Sequence, residues 1–505
     1  MNQEKKITKL KTDIPGFDHI SQGGLPKGRT TLVSGSAGSA KTLFAAQFLV
    51  QGIIKGESGV FVTFEESPDD IRSNLHSLNW PVEEYEKENK WAFVDASPSV
   101  GETQLEIGDY DFAAIQARIE AAVKRVNATR ISLDSLGAVF NQFDNPNIIR
   151  RELFNITRGI KNLGVTTLLT TERMDEYGRI GRYGVEEFVA DNVIILRNIL
   201  EAEKRRRTIE ILKFRGTTHH KGEYPFTITS DDGLVIIPLS SLKLKQRSTN
   251  KRVTSGSTDL DKMCGGGFFR DSILLASGAT GTGKTLMATE FLAGGVKSGD
   301  RSLLFAFEES REQLFRNATG WGIDYETMEK EGKLKVICVY PESAGLEDHL
   351  LSIKKTIDKF NPQRIAVDSL SALERVSTIK GFREFVISIT SYIKEKQMTG
   401  LFTSTTPTLM GGTSITEAHI STITDSIILL RYVEVYGEMR RGLTVLKMRG
   451  SMHEKNIREF MIDDSGMHIG KPFRDISGII SGNTLQSNVQ REIERMDDLF
   501  DDGQK

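Results

Sequence analysis

The chain contains an internal duplication with one long period. Residues 31–42, TLVSGSAGSAKT, recur as LLASGATGTGKT at 274–285, and FVTFEES at 61–67 recurs as LFAFEES at 304–310, both with an offset of 243 residues. Three further pairs share an offset of 234 residues: ISLDSL at 131–136 with IAVDSL at 365–370, DNVIILR at 191–197 with DSIILLR at 425–431, and ILKFRGT at 211–217 with VLKMRGS at 445–451. This period is too long for a solenoid. It predicts two related domains, the first with a net insertion of nine residues (243 − 234) between 66 and 131.

The duplication divides the chain into four parts. We predict a first domain over 1–240, a linker over 241–252, a second domain over 253–482 and a tail over 483–505. The linker region is polar and basic; the alternative is a surface strand and loop within one domain. In the tail, apolar residues at steps of four, three and four predict a short amphipathic helix over 484–500. That helix would dock on its own domain, bind a partner or a second copy, or stay disordered.

The composition is that of a soluble globular protein. The 505 residues are 38% hydrophobic and 27% charged, with a formal net charge of −2, so the chain lacks the global basic excess of a dedicated nucleic-acid binder. Its two cysteines, Cys264 and Cys338, lie far apart, which argues against a disulfide framework or a zinc site. The chain has no apolar signal segment and no run of 18 apolar residues. We therefore expect a cytoplasmic protein, no membrane contact and no nucleic-acid partner.

Within each copy, short apolar runs alternate with helical patterns. In the first copy the strand candidates are 30–35, 59–64, 130–134, 165–170 and 192–197, and the helix candidates are 41–55, 111–126 and 148–162. Two later segments, 209–215 and 226–237, resemble additional antiparallel strands. The alternation predicts an α/β fold in which a mostly parallel central sheet carries helices on both faces.

Each copy has a glycine-rich loop between a strand and a helix. The second matches the pattern G-x-x-x-x-G-K-[ST] in full, and the first has Ala40 where the pattern expects glycine. Backbone N–H groups of such a loop bind phosphate oxygens, the lysine reaches the β- and γ-phosphates, and the last hydroxyl binds Mg²⁺. The predicted ATP-binding residues of the first loop are Gly35, Ser36, Ala37, Gly38, Ser39, Ala40, Lys41 and Thr42. Those of the second loop are Gly278, Thr280, Gly281, Thr282, Gly283, Lys284 and Thr285.

Acidic residues end two further strands in each copy. Asp134 and Asp368 each close an apolar strand and are predicted, with Thr42 and Thr285, to hold Mg²⁺ through its water shell; the alternative is a helix N-cap. The pairs Glu65-Glu66 and Glu308-Glu309 end the strand of the F-E-E-S repeat. Because phosphoryl transfer needs a group that positions the nucleophile and accepts its proton, these four glutamates are the predicted catalytic residues. The alternative is a solvated acidic turn.

One pair of cations comes late in each copy, far in sequence from the phosphate loop of that copy. Lys213 and Arg215, and likewise Lys447 and Arg449, point to one face of a strand by alternation. They could guard a sheet edge against pairing, or they could reach the γ-phosphate of a neighbouring subunit as an arginine finger does. The residues by themselves leave both readings open.

The chain resembles the KaiC family, RecA-like clock ATPases and autokinases, from about residue 12 to 482. Beyond the paired P-loops and F-E-E-S strands, the resemblance rests on four segments: YPESAGLEDHL at 340–350, HISTITD at 419–425, YGEM at 436–439 and KMRGS at 447–451. It implies two tandem RecA-like P-loop domains stacked as a double-ring homohexamer, with ATP and Mg²⁺ between adjacent subunits. The resemblance also implies that both cation pairs act in trans.

The resemblance further implies a division of labour. Glu65 and Glu66 would act on water in the first ring, and Glu308 and Glu309 would activate a protein hydroxyl in the second. The implied acceptors are Ser421 and Thr422, with Thr416 as an auxiliary site. Subtracting 234 from the acceptor positions gives Glu187 and Phe188, so only the second domain has hydroxyls there. The alternative is that 421–422 is merely a polar loop.

The expected role is that of a core component of a circadian clock or an hourglass timer. A KaiB-like protein is the partner that the resemblance implies for the first domain, whereas the tail gives no match to the family segment that recruits KaiA and so argues against dependence on KaiA. Two rival functions are a RecA- or DnaB-type DNA motor, to which the cations at 204–207 would contribute, and a nucleotide-gated scaffold with little turnover.

Overall fold

The computed structural model describes residues 7–97, 112–135, 137, 146–181, 190–201, 204–238, 248–406, 420–435, 437–474, 476–477, 479 and 485–486. The chain separates into two compact units, Met1–Ser241 and Leu242–Lys505. Thr416, Glu187 and Phe188 lie outside the described residues. So does the predicted 484–500 helix, except for Leu485–Gln486, which form a short strand paired with Ile476–Ser477.

The first unit is built on a sheet of nine strands among the described residues. The order across this sheet is β11-β10-β9-β8-β3-β7-β6-β4-β5. The strands of the unit are β1 (Lys9–Leu10), β2 (Leu25–Pro26), β3 (Thr30–Gly35), β4 (Gly59–Thr63), β5 (Trp91–Asp95), β6 (Arg130–Asp134), β7 (Thr166–Glu172), β8 (Asn192–Glu201), β9 (Lys204–Phe214), β10 (Glu223–Thr229) and β11 (Gly233–Ile236). Its helices are α1 (Phe17–Ile20), α2 (Lys41–Ile54), α3 (Pro68–His76), α4 (Val82–Lys87), α5 (Phe112–Val126) and α6 (Pro146–Asn162).

The second unit repeats this plan with the order β16-β15-β17-β18-β14-β19-β20-β21-β22. Its strands are β12 (Arg252–Val253), β13 (Phe268–Phe269), β14 (Ile273–Gly278), β15 (Ser302–Ala306), β16 (Leu334–Cys338), β17 (Arg364–Asp368), β18 (Thr399–Thr405), β19 (Ser426–Val435), β20 (Glu438–Met448), β21 (Arg458–Asp463), β22 (Gly466–Pro472), β23 (Ile476–Ser477) and β24 (Leu485–Gln486). Its α-helices are α7 (Thr258–Met263), α8 (Lys284–Lys297), α9 (Arg311–Gly320), α10 (Tyr325–Lys330), α11 (Leu346–Phe360), α12 (Leu370–Arg375) and α13 (Ile379–Glu395).

The predicted α/β class is confirmed in both units. In the first, β3 pairs in parallel with β7 and β8, and β4 pairs in parallel with β5 and β6, whereas β9 to β11 are antiparallel. Separate apolar clusters lie on the two faces of this sheet, as expected for a parallel sheet buried on both sides. Among the described residues, no helix has both the length and the apolar character that crossing a bilayer requires.

The structure corrects some element boundaries. Residues 226–237 were predicted as one strand, but they belong to the hairpin of β10 and β11, whose turn reaches Gly233 with a φ of 67°. The sequence reading also omitted α3 and β5. The nine-residue insertion can now be placed, because β5 matches β16 with the offset of 243 and α5 matches α11 with the offset of 234. It therefore lies between Asp95 and Phe112.

Candidate nucleotide sites

The first phosphate loop joins β3 to the N-terminus of α2. The Nζ of Lys41 donates to the carbonyl of Ser36 at 3.0 Å, and the Oγ of Ser39 donates to the same carbonyl at 2.7 Å. Ala40 caps the helix with φ 70° and ψ 32°, a left-handed conformation that alanine rarely adopts. The loop therefore takes the phosphate-loop shape although alanine replaces the usual glycine.

The second loop, between β14 and α8, has matching internal contacts. The Nζ of Lys284 and the Oγ1 of Thr282 both donate to the carbonyl of Ala279, at 2.8 and 2.7 Å. Gly283 is also left-handed, with φ 102° and ψ 19°. Burial lowers the pKa of both loop lysines, Lys41 and Lys284, while nearby carboxylates counteract this effect.

Asp134 and Asp368 occupy equivalent positions behind the loops, where Asp134 is buried and Asp368 is half-buried. Asp134 accepts hydrogen bonds from Thr170 and Thr42, and Asp368 accepts the corresponding bonds from Thr403 and Thr285. Burial raises the pKa of both aspartates, and the hydrogen bonds and the loop lysine act in the opposite direction. The structure thus brings each predicted metal-binding aspartate together with the predicted threonine of its own loop.

The glutamate pairs follow β4 and β15. Burial raises the pKa of Glu65, helped by the charges of Glu172 and Asp134, and burial also raises the pKa of Glu66. Glu66 is oriented by Asn74, whose Nδ2 lies 3.4 Å from its carboxylate. A carboxylate with a raised pKa is a stronger base, which suits a group that receives a proton.

The second glutamate pair has additional partners. The Oγ of Ser369 donates to Glu308 at 3.0 Å, and Arg375 forms an ion pair with the same carboxylate. Glu309 accepts from Asn317 at 3.2 Å, and burial raises its pKa. Sequence reasoning assigned no role to Arg375 or to Ser369, because Arg375 on α12 and Ser369 at its N-cap meet Glu308 only in the folded domain.

Each phosphate loop borders an open cavity. The second unit has a cavity of about 300 Å³ whose walls include Lys284, Thr285, Glu308, Glu309 and Asp368, together with Trp321 and Ile462. The first has a cavity of about 360 Å³ whose walls include Lys41, Thr42 and Glu66, together with Leu78 and Ile228. The apolar walls escaped the sequence reading, although Leu78 and Trp321 are separated by 243 residues and Ile228 and Ile462 by 234.

The predicted cation pairs contact their own chain. In the second unit, Lys447 donates to the carbonyl of Thr424 at 2.7 Å and Arg449 donates to the carbonyl of Thr422 at 2.8 Å. In the first, Lys213 donates to the carbonyl of Ala190 at 3.1 Å. Arg215 lies 3.9 Å from Asp191. Among the described wall residues of the two nucleotide cavities, none is a member of these pairs.

The family of the chain follows from comparison with known proteins. The model of the KaiC ATPase family matches residues 10–241 and again 253–473. This chain belongs to the KaiC family. It is 64% identical over 496 residues to the circadian clock protein KaiC3 of Synechocystis sp., covering 98% of both chains. It is 56% identical over 490 residues to the clock oscillator protein KaiC of Thermostichus vulcanus, covering 97% of this chain and 94% of that protein.

Similarity extends to the KaiC of Synechococcus elongatus, at 55% identity over 494 residues. Membership of this ATPase family agrees with the paired P-loops and supports ATP binding by the chain. It does not favour the alternative of a RecA- or DnaB-type DNA motor.

The structure describes part of the segment that holds the predicted acceptors of this KaiC-family chain. Ile420–Thr422 form a short 3₁₀ turn before β19, and Thr422 is exposed. Thr422 is not among the described residues that line the cavity of the second unit. Among the described side chains of one subunit, Thr422 and the predicted catalytic glutamates are therefore not brought together at that cavity.

The residues around each loop fit a hard cation. Magnesium prefers oxygen ligands, and each site offers one buried carboxylate and one threonine hydroxyl. The first site also has the buried Oγ of Ser135, which has no hydrogen-bond partner among the described residues. Thr42 and Asp134 would hold Mg²⁺ in the first unit, and Thr285 and Asp368 would hold it in the second. The peptide bonds that follow the two aspartates, Asp134-Ser135 and Asp368-Ser369, are both cis.

Proposed function

We propose that this KaiC-family chain is an ATP-dependent autokinase, autophosphatase and ATPase that acts as a core component of a circadian clock or an hourglass timer. The first unit hydrolyses ATP, and the second phosphorylates Ser421 and Thr422. The observation that carries this proposal is an asymmetry between duplicated sites. Both units have the loop, the buried aspartate and the glutamate pair, but only the second has hydroxyls where the first has Glu187 and Phe188.

In the first unit, the loop amides and Lys41 bind the phosphates of ATP. Thr42 and Asp134 hold Mg²⁺, which when bound offsets the charge on the β- and γ-phosphate oxygens. Glu65 and Glu66 orient a water molecule and accept its proton as its oxygen attacks the γ-phosphorus and ADP leaves. The raised pKa of both glutamates supports this role.

In the second unit, the nucleophile is a protein hydroxyl. Lys284 and the loop amides bind the phosphates, and Glu308 or Glu309 accepts the proton of Ser421 or Thr422. Arg375 and Ser369 hold the carboxylate of Glu308 in one orientation, and Asn317 does the same for Glu309. Orientation by fixed partners lowers the entropy cost of proton transfer.

The active assembly is a double-ring homohexamer with ATP between adjacent subunits. Because Thr422 is not among the described wall residues of the cavity in its own subunit, we assign the transfer to neighbouring subunits. Lys447 and Arg449 lie on the acceptor side of that junction, since they donate to the carbonyls of Thr424 and Thr422. They and Lys213 and Arg215 would stabilise the charge on the neighbour's γ-phosphate.

Partners other than a second copy are assigned from the family. A KaiB-like protein is the proposed partner of the first unit, and dependence on KaiA is not proposed. Nothing in the composition favours nucleic acid.

The test is intact-mass and peptide-mapping spectrometry after incubation with ATP and Mg²⁺. The wild type should gain phosphoryl groups on Ser421 and Thr422. The double variant Glu308→Gln/Glu309→Gln should lose this modification, and Ser421→Ala/Thr422→Ala should lose the acceptors. A wild type that stays unmodified on both residues would refute the autokinase.

The matched control is Glu65→Gln/Glu66→Gln, which removes the same charges from the first unit. It should keep the phosphorylation of Ser421 and Thr422 but lose most of the ADP release. A protein that binds ATP while releasing no ADP and acquiring no phosphate would instead support the nucleotide-gated scaffold.

A further inference from the structure

A carboxylate that the motif analysis did not include ends the strand beside the first phosphate loop. Glu172 is the last residue of β7, and the parallel register pairs it with Gly35, the first glycine of the loop. Strand β7 lies between β3, which carries the loop, and β6, which carries Asp134. The backbone N–H of Arg173 donates to the carbonyl of Gly35 at 3.1 Å, which ties this strand end to the loop.

The side chain of Glu172 acts electrostatically on the groups of the site. Its charge interacts with Lys41, Glu65 and Asp134. Among the charges that act on Lys41 it is the strongest, ahead of Asp134 and Glu65. It is half-buried, at the strand end whose register partner is the first glycine of the loop.

The second unit has a different residue at this position. There the register pairs Gly278 with Thr405, and the N–H of Thr406 donates to the carbonyl of Gly278 at 3.1 Å, as Arg173 does in the first unit. Thr405 lines the nucleotide cavity. The same strand end thus carries a carboxylate in the first site and a hydroxyl in the second.

The carboxylate of the first site and the hydroxyl of the second fit the different nucleophiles proposed for the two sites, which are water in the first and a protein hydroxyl in the second. Water has two O–H donors, and it is held in one orientation only if two acceptors receive them. In each site one glutamate of the pair takes the proton of the nucleophile. A serine or threonine hydroxyl then has no further O–H, and the protein backbone positions its oxygen, whereas a water molecule keeps a second O–H that a further acceptor at the strand end can hold.

We propose that Glu172 is a further catalytic residue of the first unit, which accepts the second hydrogen bond of the attacking water and thereby sets it for hydrolysis. This inference rests on the proposed hydrolytic function of that unit. In the step, the water oxygen bonds to the γ-phosphorus and the bond from that phosphorus to the bridging oxygen breaks. ADP leaves with the electron pair, and one water proton passes to Glu65 or Glu66.

The test measures phosphate release by the full chain in a Glu308→Gln/Glu309→Gln background, in which turnover reports the first unit. Glu172→Thr, which installs the residue of the second unit, should lower kcat at least tenfold and change the KM for ATP less than threefold. Glu172→Gln keeps an acceptor oxygen of similar reach and should restore at least a third of the parent kcat. The exposed control Asp175→Asn removes a nearby charge and should change kcat less than twofold.

The results separate the two claims. If the parent with intact Glu172 releases no phosphate, the hydrolytic assignment itself fails. If the parent turns over and Glu172→Thr matches it with an equal melting temperature, or alters only KM, the role of Glu172 is overturned. The reciprocal Thr405→Glu, in a Glu65→Gln/Glu66→Gln background, should raise the ratio of free phosphate to phosphoprotein at least threefold, and an unchanged ratio in a folded variant would also overturn the proposal.

Discussion

At the scale of single residues, the two phosphate loops have the same left-handed backbone conformation at equivalent positions, but with different residues. Position 40 and position 283 both lie in the left-handed region. Ala40 has a φ of 70°, near the left-handed minimum that a side chain can tolerate, whereas Gly283 has a φ of 102°. A Cβ at 283 would also lie 3.0 Å from the Cδ1 of Ile462. Alanine is therefore strained in the first loop and would be both strained and crowded in the second.

The paired exchange at these positions makes a first prediction. Ala40→Gly should relieve the left-handed strain of about 1 kcal/mol, a gain that the greater freedom of glycine in the unfolded chain partly offsets. Gly283→Ala should cost about 1 to 2 kcal/mol, because strain and the contact with Ile462 act together. Thermal unfolding and titration of ATP affinity check both. A larger effect at 40 than at 283 would contradict the geometry.

At the scale of secondary structure elements, a buried arginine ties each sheet to its neighbouring helix. Arg364, at the start of β17, donates to the carbonyls of Thr254 and Phe291 and pairs with Asp300 at 3.0 Å. Arg130, at the start of β6, makes the equivalent contacts with the carbonyls of Lys11 and Phe48. The fork of a guanidinium can reach several acceptors at once.

Loss of these arginine hydrogen bonds should lower the free energy of unfolding. Arg364→Met removes the donor from the buried carbonyl of Phe291 and the partly buried carbonyl of Thr254. It should lower the free energy of unfolding of the second unit by about 3 kcal/mol. The control Arg270→Met removes the other partner of Asp300, bound at 3.0 Å, but frees fewer buried acceptors and should cost about 1 kcal/mol. Urea unfolding followed by hydrogen exchange of peptides from the second unit measures both. Equal losses would refute the role of the carbonyl contacts.

The helix after each phosphate loop contacts a β-hairpin of its own unit, β10–β11 in the first unit and β21–β22 in the second. The two helices do so through different side chains. In the first, Gln47 accepts from the N–H of Leu234 at 2.8 Å and donates to the carbonyls of Asp232 and Leu234. In the second, Glu290 occupies the position of Gln47 and accepts a hydrogen bond from the N–H of Met467 at 2.7 Å. An ionised glutamate cannot donate a hydrogen bond, so it does not replace the two bonds that Gln47 donates. Burial raises the pKa of Glu290.

This difference predicts a pH-dependent stability of the β21–β22 hairpin. Because the pKa of Glu290 is raised in the folded state, its contribution is most favourable below the pKa of an unfolded glutamate and is lost as the pH rises through the folded pKa. Glu290→Gln should therefore slow hydrogen exchange of 458–472 at neutral pH, with a smaller gain in acid. Gln47→Glu should weaken the hairpin of the first unit in the same way. A benefit of Glu290→Gln that is independent of pH would contradict this account.

Sequence patterning predicted the elements whose contacts are local or strictly periodic. The parallel strands around the loops are continuous apolar runs, and α2 begins at a recognisable loop, so their positions were confirmed within a few residues. The single strand predicted over 226–237 was wrong because the turn at Gly233 is decided by the antiparallel pairing of β10 and β11. Strand β5 was missed because its burial comes from Phe61 and Trp91 packing side by side, a contact that no local pattern encodes.

At the scale of the whole molecule, the proposed transfer between subunits has a direct consequence. A chain with Glu308→Gln/Glu309→Gln retains the predicted acceptors, and a chain with Ser421→Ala/Thr422→Ala retains the predicted catalytic glutamates. When the two are mixed and allowed to exchange subunits in the presence of ATP and Mg²⁺, phosphate should appear on the first chain. Mass spectrometry with one chain isotopically labelled identifies the recipient. Phosphate that never appears on it, although mixed assemblies form, would place the transfer within one subunit.

The sequence by itself determined the duplication, the two phosphate loops, the buried aspartates and the paired glutamates. Each of these features lies within a short segment whose residue types and spacing identify it without knowledge of the fold. Each also occurs twice in the chain, which strengthens its identification. Alignment of the two halves of the sequence also showed that the second copy has hydroxyl residues at 421–422 where the first copy has Glu187 and Phe188.

Tertiary structure decided which other residues join those segments. Glu172 reaches the first loop only because crossover connections place β7 between β3 and β6. Arg375 pairs with Glu308 from the helix that follows β17, and Trp321 lines the second cavity just after the helix that follows β15. The physical reason is that a local motif depends on neighbours along the chain, whereas these contacts depend on the order of strands in the sheet, which the packing of the whole domain determines.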